Sequence, residues 1–251
     1  MRFSGKVILV SGAGSGIGRA TAVEFAANGG RVALLGRTRS KLEEVAAGLP
    51  PDRALPVVAR HENPAEVAQA IETVHAAFGR LDVLVNNAGA YSSGFASETS
   101  LEDWNQGLAV NLTGPYLLTR EALPHLRRDR KGVVINVAST LGLKPIPGAT
   151  PYCVAKAGLI MLTRATALEE AKNGVRVNVL CPGVVDTPIH RQRVDDPARL
   201  GAFLEELGRL HPLGRVGEPA EIASLVLFLA SEASAWTTGA VFTIDGGILL
   251  A

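Results

Sequence analysis

The chain has 251 residues, of which 47% are hydrophobic and 20% are charged, and this composition is typical of a folded globular protein rather than a disordered or fibrous one. Its formal net charge of +1 gives no electrostatic reason to expect a nucleic-acid partner. No apolar run approaches the roughly 20 residues of a membrane-spanning helix, so no membrane partner is expected either. The first strand-like run begins at Lys6, which leaves no room for a signal peptide, and we expect a cytoplasmic protein.

Short runs rich in Val, Ile and Leu alternate with longer stretches of helical periodicity along the chain. Several of the short runs are continuously apolar, as in parallel strands that helices cover on both faces. Seven strands alternating with about six helices predict a single α/β domain over residues 1–251, with a Rossmann-type doubly wound parallel sheet. The predicted strands are Val7–Val10, Arg31–Leu35, Leu55–Val58, Leu81–Val85, Val133–Val137, Arg176–Leu180 and Val241–Ile244.

One stretch interrupts this alternation. Residues 186–212 contain no strand-like run, several prolines and a charged helical piece, and they follow a predicted strand. A long excursion after the carboxyl end of a strand is a candidate lid over a binding site, and the alternative is a surface helix without function. We expect a substrate lid here.

The first predicted strand runs into a glycine-rich turn and then into a helix. Glycine lets the backbone approach a pyrophosphate closely, and the amino end of a helix offers free N–H groups and a positive dipole end. A dinucleotide site is therefore predicted in the turn Ser11-Gly12-Ala13-Gly14-Ser15-Gly16-Ile17-Gly18. The expected cofactor contacts in this turn are Gly12, Ser15, Gly16, Ile17 and Gly18.

The residues after the second predicted strand bear on which dinucleotide is bound. An NAD site normally has an acid here, which accepts hydrogen bonds from the ribose hydroxyls. This chain instead reads Gly36-Arg37-Thr38-Arg39. An acid would repel a 2′-phosphate, whereas the guanidinium of Arg37 can donate two hydrogen bonds to it. We therefore predict that the cofactor is NADP(H), with NAD(H) as the less favoured alternative.

A second group of residues is suited to acid–base chemistry. Tyr152 and Lys156 are four residues apart on a predicted helix, so their side chains share one face. Ser139 follows the predicted strand Val133–Val137, and doubly wound sheets bind ligands at the carboxyl ends of their strands. A lysine cation is expected to lower the pKa of a nearby phenol from about 10, and a serine hydroxyl can stabilise charge on a substrate oxygen. These residues predict a carbonyl/alcohol oxidoreductase in which Tyr152 is the acid/base, Lys156 lowers its pKa and holds the ribose, and Ser139 polarises the carbonyl.

These motifs together resemble the short-chain dehydrogenase/reductase family, in particular its 3-oxoacyl carrier-protein reductases. The glycines follow Gly-x3-Gly-x-Gly, and Tyr-x3-Lys follows the serine at thirteen residues. The resemblance runs from about Gly5 to Gly247. Its further motifs are Asn86-Asn87-Ala88-Gly89, Val110-Asn111-Leu112-Thr113-Gly114, Pro182-Gly183-Val184-Val185-Asp186-Thr187-Pro188 and Asp245-Gly246-Gly247.

The resemblance implies roles for residues in these motifs. Asn111 would be a fourth catalytic residue, which helps to hold a water that links Lys156 to solvent. The implied cofactor contacts are Asn87, Ala88, Gly89, Tyr152, Lys156, Pro182, Gly183, Val185 and Thr187. Because relatives commonly pack their C-terminal end in a tetramer interface, the resemblance also implies a homo-oligomer, either a tetramer or a dimer.

The chain departs from the family pattern at two positions. Ser11 stands where the family usually has threonine. Arg60 stands where an aspartate commonly binds the adenine amino group, and an arginine side chain has no acceptor for that bond. Arg60 could stack on the adenine, reach a phosphate or point away, and cofactor affinity depends on which arrangement holds.

The substrate is expected to be a small carbonyl or alcohol held by the Tyr91–Phe95 loop, the Leu141–Pro147 loop and the lid. An apolar lining is expected from Phe95, Leu141, Leu143, Ile146, Ile189 and Leu213. Two substrate classes remain open: a 3-oxoacyl carrier protein, which the basic cluster from Arg127 to Lys131 could meet, and free ketones, sugars or polyols. A protein that binds NADP without turnover, as a sensor or scaffold, is the alternative from another class.

No metal site is predicted. The two cysteines, Cys153 and Cys181, suit neither a disulfide framework nor a zinc site by number and spacing. We expect both to be small buried residues.

Overall fold

A computed structural model describes residues 1–191, 194 and 196–251 of the chain. Its centre is one seven-stranded parallel sheet with the strand order β3-β2-β1-β4-β5-β6-β7. The strands are β1 Val7–Ser11, β2 Arg31–Gly36, β3 Ala54–Val58, β4 Val83–Asn86, β5 Val133–Val137, β6 Arg176–Pro182 and β7 Val241–Ile244. The Rossmann-type fold predicted from the sequence is confirmed.

Helices cover both faces of the sheet. Their bounds are α1 Gly16–Ala27, α2 Arg39–Ala47, α3 Pro64–Phe78, α4 Leu101–Leu108, α5 Gly114–Leu126, α6 Thr150–Glu170, α7 Pro188–Arg191, α8 Leu200–Gly208 and α9 Pro219–Ala230. No helix in the described part of the chain is long and apolar enough to cross a membrane.

Strand β1 shows why the sheet is buried on both sides. All five of its residues are buried, and successive side chains point to opposite faces. Ile8 and Val10 pack in a core with α1, α2 and α9, while Val7 and Leu9 pack in a second core with α3 and α5. A strand in this position needs apolar residues at every step, which is the pattern that predicted it.

The strand order reverses direction between β1 and β4. Strands β2 and β3 follow on one side of β1, and β4 to β7 follow on the other side. In a doubly wound sheet the crevice at the carboxyl ends of the two strands beside such a reversal is where ligands bind. The ends of β1 and β4 therefore position the candidate site.

Five of the seven strands differ from their predicted bounds by one or two residues at one or both ends, and β5 and β7 match them. Strand β4 begins at Val83 rather than Leu81, and the side chain of Asp82 just before it lies at the base of the sheet. Its carboxylate accepts hydrogen bonds from the backbone N–H of Val7 at 2.9 Å and from Lys6 at 3.0 Å.

The predicted lid region, residues 186–212, contains no strand among its described residues. It holds α7, a 3₁₀ turn at Pro197–Arg199 and α8. Its residues Gln192, Arg193 and Asp195 lie outside the described residues. Both cysteines are buried and free, as predicted.

Candidate active site

A cavity of about 550 Å³ lies at the carboxyl ends of the strands. It brings together fifteen of the residues predicted for the site from distant parts of the sequence. They are Gly12, Ser15, Gly16, Ile17, Arg37, Asn87, Ala88, Gly89, Ser139, Tyr152, Lys156, Pro182, Gly183, Val185 and Thr187.

Two predicted site residues, Gly18 and Asn111, do not line this cavity. A Cβ on Gly18 would lie 2.3 Å from the carbonyl oxygen of Gly12. The glycine therefore lets α1 pack directly on the turn, and the contact of Gly18 with the cofactor stays a prediction. Asn111 lies fully buried behind the cavity wall.

The glycine turn is held to the end of β4 by Ser11. The Ser11 hydroxyl accepts hydrogen bonds from the backbone N–H groups of Asn87 and Ala88, each at 3.0 Å, and donates to the carbonyl oxygen of Val85 at 3.3 Å. The side-chain amide of Asn87 donates back to the carbonyl oxygen of Ser11 at 3.0 Å. Because these bonds need only a hydroxyl, serine serves at this position in place of threonine.

The start of α1 is arranged to receive an anion. Gly12 has φ +69°, a conformation that glycine adopts without strain. Ser15 precedes the helix, and within the described part of the chain its side chain makes no capping bond and the first turn carries no acid. The uncapped N–H groups and the positive end of the helix dipole therefore face the cavity, which suits a pyrophosphate.

Ser139, Tyr152 and Lys156 meet at the other end of the cavity. The Tyr152 hydroxyl is hydrogen-bonded to the Ser139 side chain. The Nζ of Lys156 lies 5.6 Å from the centroid of the Tyr152 ring and donates to the carbonyl oxygen of Val137 at 2.9 Å. The end of β5 and the first turn of α6 are thus joined at one point, as the sequence predicted.

Burial changes the proton affinities of this group. It raises the pKa of the Tyr152 phenol to about 12, against the opposing effect of the hydrogen bond to Ser139, because a buried charge is poorly solvated. It lowers the pKa of the Lys156 amine to about 8 for the same reason. The sequence predicted that Lys156 would lower the pKa of the Tyr152 phenol from about 10. This prediction is wrong, because the free-energy cost of burying a phenolate raises the pKa instead.

Asn111 lies in a π-helical turn, Ala109–Thr113, between α4 and α5. Its side-chain amide donates to the carbonyl oxygens of Ala90 at 2.9 Å and Gly107 at 3.0 Å, and its Oδ1 accepts from the N–H of Ala90 at 3.2 Å. A Cβ on Gly89 would lie 2.9 Å from this Oδ1 and 3.4 Å from the Nζ of Lys156. Gly89 therefore lets Asn111 and Lys156 approach the same stretch of backbone.

At the far end of the cavity, β2 is followed by exposed cations. Arg37 and Lys41 both line the cavity. Among the described residues no carboxylate pairs with Arg37, while the neighbouring Arg39 lies outside the cavity and pairs with Glu43 at 3.6 Å. Sequence reasoning missed Lys41, although it lies only four residues after Arg37 along the chain.

Arg60 points away from the cavity. Its guanidinium donates to Oε1 of Glu66 at 2.6 and 2.9 Å, and its backbone N–H donates to the other oxygen at 2.7 Å. The cavity wall after β3 is formed instead by His61 and Glu62, which were not predicted. The buried His61 ring bonds the carbonyl oxygen of Val110 at 2.8 Å, and burial lowers the pKa of its imidazole.

The expected apolar substrate lining is only partly assembled. Of the six predicted residues, Ile189 lines the cavity. Phe95, Leu143, Ile146 and Leu213 are exposed on the described surface. The Tyr91–Phe95 loop does contribute, since the ring of Tyr91 lies 5.3 Å from the ring of Tyr152.

The fold and the site define a class of protein, the nicotinamide-dependent oxidoreductases. A family profile described as enoyl-(acyl carrier protein) reductase matches residues 12–249. The chain belongs to the short-chain dehydrogenase/reductase family and is an oxidoreductase that acts on alcohol or ketone substrates.

Three relatives show how far the likeness extends. The chain is 38% identical to the 3-oxoacyl-[acyl-carrier-protein] reductase of Thermotoga maritima, with all of both chains covered. It is also 38% identical to the meso-2,3-butanediol dehydrogenase of Serratia marcescens, over 98% of this chain and 96% of the relative. The crystal structure of levodione reductase superimposes with a TM-score of 0.94 at 33% identity, over 100% of both chains.

Proposed function

We propose that the protein transfers a hydride between NADP(H) and a carbonyl or secondary alcohol, with Tyr152 as the general acid/base. The observation that carries this proposal is the meeting of Ser139, Tyr152 and Lys156 at one end of a cavity whose other end is the glycine turn. When bound, the nicotinamide supplies or accepts the hydride. The protein's own residues must then orient the substrate and move one proton.

Tyr152 is the proton donor in reduction. Its pKa of about 12 keeps the phenol protonated near neutrality, so the hydroxyl can give its proton to the substrate oxygen as negative charge develops there. Ser139 donates a hydrogen bond to the same oxygen and stabilises that charge. In oxidation the roles reverse, and Tyr152 must first lose its proton to act as a base.

Lys156 and Asn111 are proposed to return a proton to Tyr152 after each reduction and to hold the backbone around it in place. The buried amine of Lys156 lies beside the Tyr152 ring and is held by Val137. Its pKa of about 8 allows it to exchange a proton near neutral pH. Asn111 fixes the Ala90 backbone next to this amine, and we infer that it holds a water through which the proton returns from solvent.

The cavity fits NADP(H) at each end. The uncapped start of α1 suits the pyrophosphate, and the side chains of Arg37 and Lys41 can bind a 2′-phosphate. No acid lies among residues 37–40 after β2 to bind both ribose hydroxyls or to repel a phosphate. Val185 and Thr187 also line the cavity, and we place the nicotinamide beside them.

Residues 1–251 are proposed to form a single domain in which residues 186–212 act as the substrate lid. The lid begins at the cavity, since Thr187, Pro188, Ile189 and His190 line it. Closure of such a segment would bring its apolar residues over the substrate and exclude water from the reacting atoms.

We favour a free ketone, sugar or polyol over a carrier-protein thioester as the substrate. The basic cluster after α5 precedes β5 and so lies at the amino ends of the strands, opposite the cavity. Arg127 is bound to Glu170 at 2.8 Å, and Arg130 donates to the carbonyl oxygen of Lys172 at 2.8 Å. This cluster cannot serve as a docking site beside the cavity mouth, which removes the sequence argument for a carrier protein.

A homo-oligomer, either a tetramer or a dimer, is also proposed. Helices α5 and α6 expose large apolar side chains, among them Tyr116, Met161 and Leu168, and Leu168 is 83% exposed. Burying these faces against a second copy would remove them from water. Light scattering on a sizing column would test this, and a monomer at micromolar concentration would contradict it.

A screen with NADPH and NADP⁺ tests the proposed activity. The panel should contain small diketones and their diols, sugars, polyols and an acetoacetyl thioester, with absorbance at 340 nm followed in both directions. We expect turnover of at least one free carbonyl or alcohol. Tight NADP(H) binding without turnover of any compound would favour the sensor or scaffold alternative instead.

A further inference from the structure

We propose that His211 is a positioning residue for the nicotinamide half of the cofactor, and that it acts through the backbone of Val184. This inference rests on the proposed function, which places the nicotinamide beside the segment that follows β6. His211 lies in the turn after α8 and is 3% exposed. It has no contact with the cavity and is absent from the family motifs identified in the sequence.

Both ring nitrogens of His211 are committed to backbone groups. Nε2 accepts a hydrogen bond from the N–H of Val184 at 3.1 Å. Nδ1 lies 2.9 Å from the carbonyl oxygen of Leu207, in the last turn of α8. Because a backbone N–H can only donate, Nε2 must be unprotonated, and Nδ1 therefore carries the hydrogen and donates it to Leu207.

The other side of the Val184 peptide is held by the same stretch of chain. The N–H of Gly217 donates to the carbonyl oxygen of Val184 at 2.8 Å, and its own carbonyl accepts from Asp186 at 2.9 Å. Residues 211–217 thus hold Val184 at both of its polar groups. Its neighbours Gly183 and Val185 line the cavity, so any shift of the Val184 peptide would move the wall beside the nicotinamide.

Glycines around the imidazole make this arrangement possible. A Cβ on Gly183 would lie 2.9 Å from Nε2 of His211, and one on Gly246 would lie 3.2 Å from its Cβ. Gly246 also has φ +56°. The C-terminal motif Asp245-Gly246-Gly247 therefore has a local role, which is to leave room for His211 and for the neighbouring Pro212.

The arrangement predicts that His211 affects the binding of the nicotinamide half of the cofactor and not that of the adenosine half. The adenine, 2′-phosphate and pyrophosphate contacts proposed above come from β1, β2 and α1, and none of these elements contacts the imidazole through the bonds just described. A loss of the bond to Val184 should weaken binding of the whole dinucleotide and leave binding of its adenosine half unchanged.

Two polar substitutions test the assignment. In His211→Asn the amide falls near the position of Nδ1 and cannot reach Val184, whereas in His211→Gln a carbonyl oxygen can reach the position of Nε2. We expect His211→Asn to raise the Kd of NADP⁺ about tenfold, since a buried N–H loses its acceptor. His211→Gln should stay within about threefold of the original protein.

The second ligand is adenosine 2′,5′-bisphosphate, measured with the same variants by calorimetry. Its Kd should stay within about twofold of the original value in both variants, which also shows that they are folded. The KM for NADPH should rise in His211→Asn more than kcat falls. If the Kd values of NADP⁺ and the bisphosphate rise together, or if His211→Asn and His211→Gln behave alike, the inference is wrong. Failure of the unsubstituted protein to bind NADP⁺ would instead contradict the proposed function.

Discussion

The Nζ of Lys156 lies 2.9 Å from the carbonyl oxygen of Val137, in a setting where the lysine is only 3% exposed. One backbone carbonyl is a weak partner for a buried ammonium group, and burial lowers the pKa of this amine to about 8. The folded protein therefore bears a free-energy cost whenever this lysine is charged, and that cost depends on pH.

Replacement of this lysine should reveal the cost. The unfolded chain binds more protons at this group than the folded chain does between about pH 8 and pH 10.5, so the unfolding free energy of the unsubstituted protein rises with pH across that window. The unfolding free energy of the unsubstituted protein minus that of Lys156→Met should therefore rise by about 2–3 kcal/mol between pH 7 and pH 10. Urea unfolding of both proteins at several pH values measures this difference.

The pH dependence is the decisive measurement, because Lys156→Met also leaves the Val137 carbonyl without its donor at every pH. A matched control is Lys131→Met, at a lysine whose side chain is 65% exposed. The difference in unfolding free energy between Lys131→Met and the unsubstituted protein should stay about constant over this pH range. A constant difference for Lys156→Met as well would show that the buried amine does not change its protonation in this range.

The removal of one hydroxyl tests the acid/base. Tyr152→Phe keeps the ring against Tyr91 and Lys156 and removes the proton donor. We expect turnover to fall at least about a hundredfold, while the Kd of NADP⁺ is retained. Steady-state kinetics and calorimetry measure the two quantities.

The comparison variant is Tyr116→Phe, which removes a hydroxyl from a tyrosine on α5 that does not line the cavity. Its turnover should match that of the unsubstituted protein. Equal turnover in Tyr152→Phe and Tyr116→Phe would exclude Tyr152 as the acid/base.

The two reaction directions should respond differently to pH. A phenol with a pKa of about 12 is protonated throughout the neutral range, so reduction has its proton donor available. Oxidation needs the phenolate, whose population increases with pH. We expect kcat/KM for alcohol oxidation to rise by up to about tenfold per pH unit above pH 7, and that for reduction not to rise. A flat oxidation profile from pH 7 to 9 would contradict this assignment.

Cofactor choice should depend on Arg37. Arg37→Asp replaces a donor for the 2′-phosphate with an acid that repels it and that accepts bonds from ribose hydroxyls. We expect the ratio of kcat/KM for NADP(H) to that for NAD(H) to fall at least about a hundredfold. The control, Arg39→Asp, alters a cation outside the cavity that pairs with Glu43. A similar fall in both variants would indicate a general charge effect rather than a specific contact.

A methyl group at Gly89 should disturb the catalytic end of the cavity. The added Cβ in Gly89→Ala would lie 2.9 Å from Oδ1 of Asn111, and that side chain cannot turn aside without losing three hydrogen bonds. We expect kcat to fall about tenfold or more, since one lost buried hydrogen bond already costs about 1–3 kcal/mol. Gly48→Ala, with its nearest contact at 3.5 Å, should leave kcat unchanged.

Much of the fold could be predicted because its signals are local. A strand buried on both faces must be apolar at each step, and each of the seven strands carries this pattern or part of it. Asn63 and Pro64 likewise begin α3, where the Asn63 side chain accepts from two backbone N–H groups. The convergence of Ser139, Tyr152 and Lys156 followed from the rule that places ligands at the carboxyl ends of parallel strands.

The remaining features depend on contacts between distant segments. Nothing in the sequence indicated that the Asn111 side chain, in a π-helical turn, would bond the backbone of Ala90, 21 residues away. Arg60 pairs with Glu66 and so points away from the adenine side of the cavity. The spacing of residues in the sequence could not decide whether Arg60 would bind Glu66 or the cofactor. The role of His211 also required the fold, since Val184 is 27 residues away along the chain.

Behind the wall after β3, the His61 ring fills the space directly above Gly114. A Cβ on Gly114 would lie 2.1 Å from Cδ2 of this ring, a separation that no small adjustment of a buried, hydrogen-bonded imidazole can relieve. Positions 61 and 114 are therefore not independent. Any redesign of the adenine side that keeps histidine at 61 must keep glycine at 114, and a bulkier residue at 114 becomes acceptable only after the imidazole has been replaced by something smaller.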